Sequence, residues 1–279
     1  MKKIIFLLSI LFISCETQKS EIIDLFNAEN NPNVSCYRIP SIITAVNGDL
    51  IAMIDERVPS CGDLKWSRDI NIVMRKSLDN GKTWSDIETI VDYPPGQSAS
   101  DPSMILDKKT NTIFMFYNYM DLDNEKDIYY LRYKKSVNNG KSWSESIDIT
   151  DQISKIGWEK DFKFITSGRG IQTQDGTLLH CLVNLQKGTH VFGSDDNGNT
   201  WFIIETPTSP GDESKIVELN DGSWMVNSRV NNLGYRYSHI SDDKGKSWIS
   251  KKEDKIIDPG CNGSILKYNF NNKNLLLLT

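Results

Sequence analysis

The stretch SDDNGNTW, Ser194 to Trp201, decides how this chain is read, because it is one of four copies. The others are SLDNGKTW from Ser77, SVNNGKSW from Ser136 and SDDKGKSW from Ser241. All fit Ser-x-Asp-x-Gly-x-Ser/Thr-Trp except the second, where Asn138 stands in place of the aspartate. At average residue usage a strict match arises by chance at roughly one position in a million. Copies spaced by about 45 to 60 residues therefore mark an internal repeat, and strands repeating at that period point to a propeller or a similar array.

Each box reads as a hairpin connection. Asp or Asn followed by Gly supplies turn conformations that other residues resist. The Asp carboxylate and the Ser and Thr hydroxyls can accept backbone N–H groups, and the Trp covers the corner. The boxes are thus read as fold and not as chemistry. A second punctuation, Asn47-Gly48-Asp49, Asp175-Gly176-Thr177 or Asp221-Gly222-Ser223, precedes three of them, and a plainer turn from Thr110 to Thr112 serves the second unit. Apolar runs follow these turns (LIAMIDE, IFMFYNY, LLHCLVN, WMVNSR), and β-prone runs precede the boxes (INIVMRK, IYYLRYKK, HVFG, YRYSHI). One unit is then strand, tight turn, strand, loop, strand, box, strand: a four-stranded antiparallel blade of about 50 residues. The fold class is all-β, with no convincing amphipathic helix beyond the N-terminus.

Four blades are complete by about residue 256, and a fifth begins with SILKY after Gly263. The last run, LLLLT, stops inside a strand, which would leave an unpaired edge, so a C-terminally truncated chain is expected. Residues 21–26 (EIIDLF) offer a strand for closing the ring. The net charge of −5 and the lack of a basic run argue against nucleic acid. Residues 1–15 read as an export leader: Lys2 and Lys3, the apolar IIFLLSILFI, then Ser14-Cys15. The apolar run is too short to span a membrane. Cys15 after a small residue resembles a bacterial lipoprotein cleavage site, which implies an exported protein held at a bacterial membrane, in the periplasm or at the cell surface, by a lipid on Cys15. Ordinary secretion is the alternative. The propeller occupies residues 21–279. Cys36 and Cys61 are the likeliest disulfide pair, with free thiols the other reading. His180, His190 and His239 show no ligand spacing, and no metal or cofactor is expected.

Chain direction sorts the charged residues. Within a blade, the start of the first strand and the end of the second share one rim, and the box after the third lies on the other. The near rim collects Arg38 (CYRIP), Arg57 (DERV) and Asp63 in the following loop. It also collects Asp101 (SASDPSM), Glu213 (GDESKIVEL) and Arg229 (VNSRV). Glu218 alternates within its strand and reads as structural. Core packing is favoured for Trp158, Phe162 and Phe164, and Arg169 in SGRGIQ stands at the edge of this set.

Here the sequence resembles the exo-sialidases over nearly the whole chain after the leader. YRIP, Tyr37 to Pro40, looks like that family's Phe/Tyr-Arg-Ile-Pro motif. The boxes look like its Asp-boxes, and DESKIVELNDGSWMVNSR, Asp212 to Arg229, looks like its Glu-bearing segment. The resemblance implies a six-bladed β-propeller that cleaves terminal sialic acid from glycoproteins, glycolipids and oligosaccharides. It implies Arg38 and Arg229 as two of three arginines on the sugar carboxylate, and Arg57 near the ring 4-hydroxyl. Asp63 would be the acid/base, Asp101 a contact to ring substituents, and Glu213 the base that activates a tyrosine nucleophile. A carboxylate nucleophile would be repelled by the substrate's own carboxylate, and sialidases use tyrosine instead. Gly211-Asp212 departs from the family's usual dipeptide before the Glu. No residue of this sequence matches the third arginine or the tyrosine. A catalytically inactive, sialic-acid-binding propeller is therefore the alternative, and an Asp-box protein of unrelated chemistry a more distant one.

Overall fold

The computed structural model describes residues 22–279. The leader and Cys15 lie outside them. The chain forms successive antiparallel meanders. The first sheet runs β1 (Cys36–Thr44), β2 (Leu50–Arg57), β3 (Ile70–Ser77) and β4 (Glu88–Val91). The second runs β5 (Gln97–Asp107), β6 (Thr112–Asp121), β7 (Tyr130–Ser136) and β8 (Ile147–Asp148). In the third, β9 (Lys163–Ile165) and β11 (Ile171–Gln172) both pair with β12 (Leu178–Asn184), followed by β13 (Gly188–Ser194) and β14 (Phe202–Ile203), while β10 (Gly168–Arg169) between them crosses to β5 of the second sheet. The fourth holds β15 (Ser214–Glu218), β16 (Trp224–Ser228), β17 (Tyr235–Ser241) and β18 (Ile249–Ile257). A hairpin of β19 (Ile265–Phe270) and β20 (Lys273–Leu278) opens a fifth sheet. This is the all-β blade array expected, four blades and a fifth begun. Its one α-helical segment among the described residues is a single turn, Thr150–Ile153. Residues 22–26 form no strand. Instead the Leu25 carbonyl accepts Arg75 Nη1 at 2.6 Å, and Phe26 packs on Tyr37.

The core lies between successive sheets, which is why the inner strands read as unbroken apolar runs. Met53, Ile72 and Met74 of the first sheet pack on Met104, Ile113, Met115 and Tyr117 of the second. Phe114 and Phe116 on the other face of β6 meet Leu178, Phe192 and Trp201 of the third. Leu179 and Val191 then meet Ile216, Trp224 and Val226 of the fourth. All ten residues of β6 are buried, as a strand covered on both faces requires.

The boxes bond alike in every blade. Ser77 Oγ accepts the Gly81 N–H at 2.7 Å and donates to Asp79 Oδ1 at 2.8 Å. Asp79 accepts both the N–H and the hydroxyl of Thr83, and those bonds hold its carboxyl down to about 2. Asn138 does the same work through its amide, taking the Ser142 N–H at 3.0 Å and donating to the Ser142 hydroxyl at 2.8 Å. This explains why Asn is tolerated in the second copy. The boxes also staple neighbours: Gly198, at φ +80°, would place a Cβ 2.2 Å from the ring of Phe114 in the preceding blade. Only glycine fits both the conformation and the approach.

Candidate active site

The near rim is built from the ends of β2 and β16 and from two bulged opening strands. Arg57 ends β2 opposite Cys36, and Asp55 stands opposite Arg38. The Arg57 side chain is 1% exposed and that of Asp55 is 0%. Arg57 Nη2 donates to Asp55 Oδ2 at 2.9 Å. Its Nη1 turns into the following loop, donating to the Cys61 carbonyl at 3.0 Å, the Gly62 carbonyl at 2.9 Å and Asp63 Oδ1 at 2.7 Å. Arg57 thus presents no open face to a sugar; it fixes the loop that carries Asp63. Cys36 and Cys61 are disulfide-bonded, with Cα atoms 5.7 Å apart.

Asp63 is shared between two guanidinium groups, the second being Arg38 at 3.1 Å. Here the side chains face water: Arg38 is 45% and Asp63 57% exposed. The YRIP segment reaches this position through a bulge between Arg38 and Ser41, with Ile39 at φ +62°. β5 repeats the device between Ser100 and Ser103, with Asp101 at φ +63°. Both residues precede a proline. A left-handed β-branched residue is a true outlier, and such conformations cost about 1–3 kcal/mol each where a site needs them. Bulges of this kind re-aim side chains at rims.

Asp55 carries the link to the second blade. Its Oδ2 accepts the Ser100 hydroxyl at 2.6 Å and its Oδ1 the Asp101 N–H at 3.0 Å. Asp101 Oδ2 in turn accepts Asn118 Nδ2 at 3.0 Å. In the fourth blade Glu213 and Arg229 continue the β15–β16 ladder, with the Arg229 N–H on the Glu213 carbonyl at 3.0 Å. That register sets the two side chains together, and Arg229 Nη1 bonds Glu213 Oε2. Arg229 Nε is held by Asn231 Oδ1 at 2.9 Å. Two residues on from Glu213, Lys215 is buried and donates to Asn262 Oδ1 at 2.6 Å. Residues of β1, β10 and β15 and of the segment leading into β19 line a cavity of about 930 Å³, including Arg38, Arg169, Lys215 and Asn262.

Residues 39–279 match the BNR repeat-like domain. The chain belongs to this BNR-repeat family. Sialidases are among the curated proteins it is similar to. The sialidase of Micromonospora viridifaciens is 31% identical over 263 residues, covering 86% of this chain and 39% of that protein. The sialidase of Bacteroides fragilis is 28% identical over 280 residues, covering 88% of this chain and 50% of its own. Among solved structures, a Hadza microbial sialidase superposes with a TM-score of 0.79 at 27% identity, covering 88% of this chain and 53% of the other. The chain thus spans half or less of the length of these two curated relatives.

Of the residues the sequence assigns to the near rim, the structure brings together Arg38, Arg57 and Asp63, and in the fourth blade Glu213 and Arg229, while Asp101 joins the first group through Asp55. Several partners were not anticipated. Asp55 and Asn118 sit inside apolar runs, and Lys215 inside KIVEL, where alternation hides a functional polar group. The close packing of Gly170 was also hidden: a Cβ there would stand 2.4 Å from the Leu179 carbonyl. Trp158 is buried against His190, and Glu218 accepts the Gln174 N–H at 2.8 Å, both structural. His180 stacks on Phe192, and burial pulls its imidazole down to about 3.

Burial, and then the facing Asp55 carboxylate, push Asp101 up to about 8, with Glu213 adding to the effect and Asn118 opposing it. The folded protein therefore keeps a proton that the unfolded chain has already lost. Stability from this group is present at low pH and is lost as pH rises toward about 8. Thermal melts between about pH 6 and pH 8 should show the parent losing stability relative to Asp101→Asn, which has no proton to release. The buried histidines contribute equally to both proteins and cancel in the difference. Parallel pH profiles for the two would refute the assignment.

Proposed function

We propose that the full-length protein is an exo-α-sialidase that hydrolyses terminal sialic acid from glycoproteins, glycolipids or oligosaccharides with retention. The observation that carries this reading is the pairing of each candidate catalytic carboxylate with a candidate clamp arginine on one rim: Asp63 with Arg38, and Glu213 with Arg229. A sialoside brings its own carboxylate, on the carbon that reacts. Arginines bind such a group through paired, charge-assisted bonds. When Arg38 and Arg229 turn to the substrate carboxylate, Asp63 keeps Arg57 as its one arginine partner and its other oxygen faces the glycosidic oxygen, while Glu213 faces a nucleophile's proton. Asp63 then donates a proton to the leaving oxygen and afterwards takes one from water. Glu213 activates a tyrosine. Asp101, kept protonated by its surroundings, supplies a donor to a ring substituent. The leader and Cys15 fit an exported protein anchored by lipid at a bacterial membrane.

The test is release of sialic acid from a fluorogenic sialoside by the full-length protein. Arg38→Ala should lower kcat/KM at least about thirtyfold, the equivalent of about 2 kcal/mol of charge-assisted bonding in the transition state. Binding of sialic acid with no release would leave a lectin-like propeller, and an unchanged rate would remove Arg38 from the clamp.

A further inference from the structure

The segment between β2 and β3 carries Asp63 but has no regular structure of its own. Asp63 is more than half exposed, so the packing of its side chain does not position it. Its backbone does. Leu64 is buried against Met120 and Tyr129, and the Asp63 carbonyl accepts the N–H groups of Trp66 and Ser67 at 2.7 and 3.0 Å. On the N-terminal side the anchor is covalent. Cys61, two residues before Asp63, is bonded to Cys36, two residues before Arg38. The Cys61 carbonyl also accepts Arg57 Nη1 at 3.0 Å and Arg38 Nη1 at 3.3 Å. One bridge thus ties the carrier of the proposed acid to the carrier of the proposed carboxylate clamp.

We propose that the Cys36–Cys61 disulfide is the positioning device of the acid/base, fixing Asp63 relative to Arg38 so that a bound substrate meets the proton donor. The proposal deepens the sialidase reading and rests on Asp63 being the acid. Reduction by a dithiol transfers two electrons and two protons to the bridge, and the reductant closes to its own disulfide. The loop then keeps its contacts through Arg57, Arg38 and Leu64 but no covalent tie, and Asp63 samples positions away from the glycosidic oxygen. Cys36 and Cys61 touch no substrate in this scheme.

A misplaced general acid has a recognisable signature. An alkyl or sugar leaving group needs its oxygen protonated as it departs, whereas a nitrophenolate leaves unaided. The Cys36→Ser/Cys61→Ser variant should therefore lose at least about tenfold in kcat/KM on a sialyl-lactose, and change by less than about threefold on a 4-nitrophenyl sialoside. Brief treatment of the full-length parent with dithiothreitol makes the same comparison if the double variant does not fold. Alkylation followed by mass spectrometry should find both cysteines protected until reductant is added. Equal losses on the two substrates, or none on either, would overturn the proposal, as would free alkylation of Cys36 and Cys61 in untreated protein. Failure of the parent to turn over even the nitrophenyl sialoside would overturn the sialidase reading itself, and the proposal with it.

Discussion

Arg57→Ala is expected to destabilise the protein by about 3–5 kcal/mol, the cost of leaving a buried charge without its partner. Both side chains of the Arg57–Asp55 pair are cut off from water. Deleting the guanidinium strands Asp55 between β1, β3 and the second blade, with only the Ser100 hydroxyl and the Asp101 N–H to bond it. Burial already pushes the Asp55 carboxyl up to about 6 against the pull of Arg57. Without that pull it takes a proton, so the penalty should shrink in acid and grow as pH rises. The loop loses three bonds from Nη1 at the same time. Urea denaturation at about pH 8 and pH 5 measures both effects, and Asp55→Asn/Arg57→Met should recover much of the loss by removing the charge with its partner. A penalty below about 1 kcal/mol, or one independent of pH, would mean that Asp55 is not held as a buried anion.

The two rims were legible in the sequence to different degrees, for physical reasons. A box needs an acceptor, a left-handed residue, a glycine and an aromatic at fixed offsets, so its geometry is written within eight consecutive positions of each copy. The near rim has no such local code. Arg38 and Arg229 could be placed there because strands in a meander alternate direction, which sends the start of one strand and the end of the next to the same side. Residues that act from inside a strand escaped. Asp55 in LIAMIDER and Asn118 in FMFYNYM look like ordinary alternation until a second blade is laid against them. The broken opening strand of the third blade escaped for another reason. Ser167 to Gly170 reads as a loop, yet β10 pairs in parallel with β5 of the preceding blade. That pairing depends on the approach of two sheets, which a single sequence does not display.

Both candidate clamp arginines are paired with protein carboxylates. A site of bare arginines would hold any anion; one whose arginines already have partners admits only a ligand that bonds them better. In the proposed reaction such an exchange would also couple binding to chemistry, since the carboxylates a substrate displaces are the proposed acid and base.

Glu213→Gln in the full-length protein should lower kcat by about 10²–10⁴-fold, the usual contribution of a positioned general base. Glutamine keeps the shape of the side chain, and its carbonyl oxygen still accepts the bond from Arg229. The Glu213 N–H remains on Asp212 Oδ1 at 2.8 Å, so the backbone should not move. KM is therefore expected to change by less than about threefold, with the loss confined to kcat. The loss should also be the same for sialyl-lactose and for the nitrophenyl sialoside, because a nucleophile must be activated whatever group departs. That uniformity separates Glu213 from the Asp63 loop, where the leaving group decides the size of the effect. A tenfold or greater rise in KM with kcat intact would make Glu213 a mere holder of Arg229, and a loss restricted to sialyl-lactose would assign it to the proton donor's side of the reaction.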